Sequence, residues 1–149
     1  MGRTAIEETP ERCDMNVERR TGNGQRQQPF NLEERLLDYA AAIFRLSERL
    51  PRTRAGLHVA GQMLRSGTSP LANHGEAQDA ESAEDFIHKF KICLKELRET
   101  HRWLHLIKRV PLIRPESQVD ALMAETEELI RIFKRSVQTA QQNKVQRAK

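Results

Sequence analysis

The sequence predicts an all-α fold: an antiparallel up-down-up-down four-helix bundle with a flexible N-terminal tail. Three observations carry that expectation. Apolar residues recur at alternating steps of three and four along three long stretches, and small residues do so along a fourth. Capping residues and prolines separate these stretches, at Asn31, Pro51, Ser82, Pro111 and Pro115. Aromatics make up only 5% of the chain while Leu, Ala, Arg and Glu abound, a balance that favours helices. Connections this short make each helix antiparallel to the one before it.

A chain of 149 residues suits one domain. Residues 1–29 read as a disordered polar tail in which five arginines balance five acids, residues 30–143 as the bundle, and residues 144–149 as a basic C-terminal tail. A short helix around residues 7–20 is the alternative for part of the N-terminal tail. Gly22-Asn23-Gly24 does not resemble a phosphate loop, because no strand precedes it.

The first helix opens at Asn31, where Asn31 and Glu34 form a capping pair. Leu32, Leu36, Tyr39, Ile43, Leu46 and Leu50 then make its seam, and Pro51 ends it. The second helix is expected from about Gly56 to Glu76. Leu57, Gly61, Leu64, Thr68, Leu71 and Gly75 share one side of it, a small-residue seam that lets another helix come close. Arg65, Ser69, Asn73 and Glu76 form a polar row beside that seam, so this helix is expected to have no free solvent face. Pro70 either kinks the helix or splits it in two. The third helix starts after Ser82, with Ser82 and Asp85 as its capping pair. Its seam is Phe86, Phe90, Cys93, Leu97, Thr100, Leu104 and Ile107, and it ends near Arg109. The fourth runs from about Glu116 to Gln142 on Val119, Leu122, Thr126, Leu129, Phe133, Val137 and Ala140.

The surface carries what chemistry the sequence offers. His88, Lys91, Lys95, Arg98, Arg102, His105 and Arg109 follow one another at steps of three and four on the third helix, with no acid among them. They lie off the core seam, so the row faces outward and could track a phosphate backbone. The alternative is an ordinary solvated face. A net charge of +4 with a pI near 9.4 is compatible with a nucleic-acid partner without requiring one. Trp103 flanks the core seam and reads as a contact to another subunit or as core. The row Arg65, Ser69, Asn73 and Glu76 reads as a buried polar network or a subunit seam. No catalytic residue, cofactor or small-molecule substrate is expected. His101 and His105 have zinc-compatible spacing, but no third ligand stands near them in sequence, so no metal site is expected. Cys13 and Cys93 are not expected to pair. No run of about 18 apolar residues is present, and no signal-peptide centre, so a cytoplasmic, membrane-free protein is expected.

Two helices carry a family resemblance. LSERLPRTRAGLHVAGQMLRSGTSPLANHGEAQ and the following DFIHKFKICLKELRE resemble the bacterial four helix bundle proteins, also called 23S rRNA intervening sequence proteins. The matching residues are Arg65, Ser69, Asn73 and Glu76 on the second helix. On the third they are Asp85-Phe86 and Leu94-Lys95-Glu96-Leu97. The chain departs from the family pattern at Pro70 and His74, where many members have apolar residues, and in its long polar N-terminus. The resemblance implies a small cytosolic bundle without enzymatic activity that assembles as a homopentamer. It also implies a relation to accessory proteins of diversity-generating retroelements, which bind nucleic acid and a reverse transcriptase. RNA, DNA or a reverse transcriptase is therefore the partner it suggests. A protein–protein module that binds no nucleic acid is the alternative.

Overall fold

A computed structural model describes residues 31–147 of the chain. The tail expected at 1–29 lies outside the described residues. Four helices follow in order: α1 (Leu32–Arg49), α2 (Arg54–Gln78), α3 (Ala83–Arg109) and α4 (Ser117–Arg147). No strand occurs among the described residues.

Local chemistry sets the helix starts. The Asn31 side chain accepts from the Glu33 and Glu34 amides at 3.1 and 3.3 Å, which satisfies two of the four unpaired donors at the start of α1. Thr53 caps α2 by accepting from Gly56 N at 3.1 Å, and Ser82 caps α3 by accepting from Asp85 N at 3.1 Å. Gly56 also serves a close approach. A Cβ there would stand 2.0 Å from the Pro51 carbonyl oxygen, so the turn between α1 and α2 closes only over a glycine.

Cross-helix pairs give the direction of each helix. Between α3 and α4, Glu84 meets Lys144, His101 meets Glu127 and Lys108 meets Asp120, so one helix rises as the other descends. Between α2 and α3, Arg65 meets Glu96 while Glu76 meets Lys89. Between α1 and α4, Arg35 meets Glu125 while Arg49 meets Gln118. Every neighbouring pair is antiparallel, as an up-down bundle requires.

The seams of α1, α3 and α4 form the core as expected. Ile43, Leu46, Cys93, Leu97, Leu104, Leu129 and Phe133 are wholly buried, and Leu32, Phe86 and Ala140 pack at its edge. The α2 seam is corrected by one step around the helix. Its core side is Val59, Met63, Ser66, Gly67, Pro70, His74 and Ala77, whereas Leu57 and Gly61 are exposed and Leu64, Thr68, Leu71 and Gly75 only half-buried. Both rows have helical spacing, and the core takes the one containing Val59 and Met63. The small-residue row therefore leaves α2 an open side among the described residues. Close approach does occur on α2, but at Gly67: a Cβ there would stand 2.7 Å from Ile43 Cγ2.

Pro70 neither splits nor ends α2, which is continuous from Arg54 to Gln78. The ring is buried, the Cys93 thiol donates to the Pro70 carbonyl at 3.5 Å, and Thr68 donates to the Leu64 carbonyl at 2.8 Å. The helix ends also run further than expected, to Gln78 in α2 and to Arg147 in α4.

One hydroxyl from each helix meets in the middle of the core. Thr126 donates to the Leu122 carbonyl at 2.6 Å, which leaves its oxygen to accept from Tyr39 at 2.8 Å. Thr100 donates to Ser66 at 2.8 Å. Burial pushes the Tyr39 phenol above its ordinary pKa. Burial likewise pushes the Cys93 thiol up to about 12, which keeps it protonated and unreactive.

His74 is the exception to this polar satisfaction. It is buried against Phe90 and Phe133, with ring centroids 5.9 and 6.4 Å away, and its Nδ1 has no partner among the described residues. Desolvation lowers its pKa below the ordinary value of 6.5, and the nearby Glu33 carboxylate opposes that shift. The folded state therefore prefers the neutral ring, and its stability is lost as pH falls below 6.5 towards the lowered folded pKa. Replacing His74 by Leu removes this dependence. The variant is expected to gain on the order of 1 kcal/mol at pH 7 and to show a flatter urea midpoint between pH 7 and 5.5 than the parent chain.

Candidate nucleic-acid interface

The core rotation of α3 decides which of its charges meet which neighbour. Leu97, Thr100 and Leu104 are wholly buried, so α3 turns one flank to α2 and the other to α4. Glu96 and Glu99 lie on the α2 flank. Arg65 bridges Glu96 at 3.2 Å and also bonds Glu99, while Lys89 bonds Glu76. The hydrogen bond to Glu99 raises the Arg65 pKa further. Glu96 is only 7% exposed, a nearly buried carboxylate that depends on this guanidinium.

The other flank is cationic. His88, Lys91, Lys95, Arg98, Arg102, His105 and Arg109 are all exposed, as their spacing predicts. Lys91, Lys95, Arg98, Arg102 and Arg109 make no ion pair with any described residue, whereas Lys89 and Lys108 on the same helix do. From Lys91 to Arg109 the row runs ~27 Å along the helix axis.

The polar row of α2 is divided by the fold. Arg65 and Glu76 reach across to α3, while Asn73 donates to Ser69 Oγ and to the Ser69 carbonyl, both at 3.0 Å. It is thus a seam between α2 and α3, with Arg65 and Glu76 still exposed at its ends. Trp103 is half-buried, donates to Glu99 at 3.4 Å and meets the His58 ring edge-on at 6.0 Å. Sequence reasoning missed the buried Glu96 and the hydroxyl layer. The Arg65-to-Glu96 pairing spans 31 positions, beyond the reach of any local pattern.

No described set of three His, Cys, Asp or Glu residues is placed to hold a metal ion. His101 and His105 meet edge-on at 4.6 Å, and the charged neighbour of His101 is Glu127 at 3.2 Å. A groove of about 650 Å³ lies between the start of α3 and the end of α4, lined by Glu84, Ile87, His88, Lys91, Gln141, Lys144 and Val145. Its one carboxylate, Glu84, is bonded to Lys144 and held below its ordinary pKa by that contact. None of the described helices is long and apolar enough to cross a membrane.

Fold and surface together define a small antiparallel four-helix bundle with its cations gathered on one flank of α3. The model of the 23S rRNA-intervening sequence protein family matches residues 31–135, and the chain belongs to that family. A crystal structure of a protein of unknown function from the S23 ribosomal protein family of Bacteroides thetaiotaomicron VPI-5482 has a similar fold. Its TM-score is 0.66 at 34% identity, over 72% of this chain and 98% of that one. No curated protein matches the chain.

The Arg65–Glu96 pair has a measurable consequence. Arg65→Ala leaves Glu96 without its partner, so the variant is expected to melt below the parent chain at pH 7. Adding Glu96→Gln recovers part of that loss, because an amide carries no unpaired charge. Melting curves of both single variants and the double variant read the coupling directly.

Proposed function

We propose that the protein is a non-enzymatic, self-associating bundle that binds nucleic acid through the cationic flank of α3, in the cytoplasm. One observation carries this reading. Five exposed Lys and Arg side chains in a row have no acidic partner among the described residues, although 21 acids are available in the chain. Elsewhere on the same helix, opposite charges find each other. Cations left open along a helix of this length fit a line of phosphates, whose condensed counterions they displace.

Self-association is supported by the open side of α1 and α2. Leu37, Phe44 and Leu57 there are 50, 53 and 54% exposed. Leu57 lies beside Gly61, and these exposed apolar side chains are ones that a second copy would cover. Five copies, the number the family resemblance implies, would weigh five times 17.2 kDa, or 86 kDa.

Two measurements test the proposal. Light scattering is expected to give a mass near 86 kDa, and a species of 17.2 kDa would remove the self-associating part. Binding to structured RNA or DNA is expected to weaken by about 10³-fold or more between 50 and 200 mM salt. Changing Lys91, Lys95, Arg98 and Arg102 to Glu is expected to abolish it. Retention of no nucleic acid even at low salt would leave a protein–protein module in its place.

A further inference from the structure

The cations do not stop at α3. We infer that the phosphate-binding face is shared by two helices in the half of the bundle nearest the α2–α3 connection. There Lys91, Lys95 and Arg98 of α3 stand beside Arg131 and Lys134 of α4, and the ligand is a nucleic-acid duplex held by both of its backbones. This rests on the reading of the α3 row given above and narrows it.

The register between the two helices carries the argument. Glu84 with Lys144, His101 with Glu127 and Lys108 with Asp120 show that each step along α3 is matched by an equal step back along α4. Asp120 and Glu127 are seven apart and both face α3. The next positions on that side are Lys134 and Gln141, and Gln141 does line the groove with His88 and Lys91. In this register Lys134 comes level with Leu94, between Lys91 and Arg98, and Arg131 comes level with Leu97. Both cations are exposed. Arg131 is bonded to Glu128 on its own helix yet keeps 62% of its side chain in solvent.

Charge along α4 changes sign once. Its acids Asp120, Glu125, Glu127 and Glu128 all precede its cations Arg131, Lys134, Arg135, Lys144 and Arg147. Because the helices are antiparallel, the acidic half lies beside the upper row of α3, where it holds His101 and Lys108 close to Arg102 and Arg109. The cationic half lies beside Lys91, Lys95 and Arg98. On the α3–α4 face the cations of both helices therefore run side by side in this half, as two parallel rails.

Packed helices lie about 8–10 Å apart, so the two rows of cations stand side by side and can meet two lines of phosphates at once. No aromatic stands on either rail to stack an unpaired base, which an unstructured strand would need. Contacts limited to phosphates hold a duplex without reading its sequence.

The test uses the full chain and fluorescence anisotropy with a DNA duplex and an RNA duplex of about 20 base pairs, and oligo-dT of the same length. Both duplexes are expected to bind more tightly than oligo-dT. Arg131→Glu with Lys134→Glu is expected to weaken duplex binding at least about tenfold, as Lys91→Glu with Lys95→Glu does, while Arg102→Glu with Arg109→Glu weakens it by a smaller factor than either of those pairs. The milder Arg131→Gln with Lys134→Gln, checked for unchanged helicity, is expected to show a smaller loss in the same direction. Full affinity in both α4 variants, with binding lost on changing Lys91 and Lys95, overturns the two-helix face and leaves the proposed function standing. If neither pair matters, both readings fall. Tighter binding of oligo-dT than of either duplex overturns the choice of ligand.

Discussion

Four buried hydroxyls, one from each helix, hold the interior of this bundle in a single register. Tyr39, Ser66, Thr100 and Thr126 lie among residues that are otherwise almost wholly apolar. Greasy seams slide past one another at modest cost, since one leucine can replace another as a neighbour. Hydroxyls cannot. Sliding any helix by one turn would strand at least one of these groups away from its partner, at about 1–3 kcal/mol for each buried group left unpaired. Together they select one alignment of the helices out of several that would bury similar area.

That alignment also sorts the surface charge. With Thr100 held inward, Glu96 and Glu99 point towards Arg65 and the cationic row turns the other way. Rotating α3 by one position would set Lys95 and Arg98 against Arg65 in place of Glu96 and Glu99 and break up the open row. The electrostatic face is thus set up by interior polar contacts that no ligand would touch.

Much of the fold was legible in the sequence because its determinants are local. Asn31 and Ser82 announce helix starts through their own side chains, and Pro51 ends α1 by geometry alone. The seams of α1, α3 and α4 each offer one apolar row, so their phase is unambiguous. On α2 two rows compete at the same spacing, and only the volumes opposite them choose between the two. The outward direction of the α3 row was equally plain from spacing. Its neighbours were not, because the pairings of Arg65 with Glu96 and of His101 with Glu127 join positions far apart in the chain. Pro70 left two readings open, a kink or a break, and the continuous helix removes the break. A proline inside a helix costs about 3 kcal/mol in isolation, but a buried ring recovers part of that through packing.

The missing side chain at position 67 makes two residues behave as one. Ile43 Cγ2 occupies the place a Cβ at 67 would claim, so neither α1 nor α2 alone owns that space. A methyl group can be added at 67 only if the Cγ atoms at 43 are withdrawn, as Ala at both positions would do, and an evolving lineage has to change the two together or keep both. The separation of the first two helices is in that sense written as a joint volume and not as the size of any single residue.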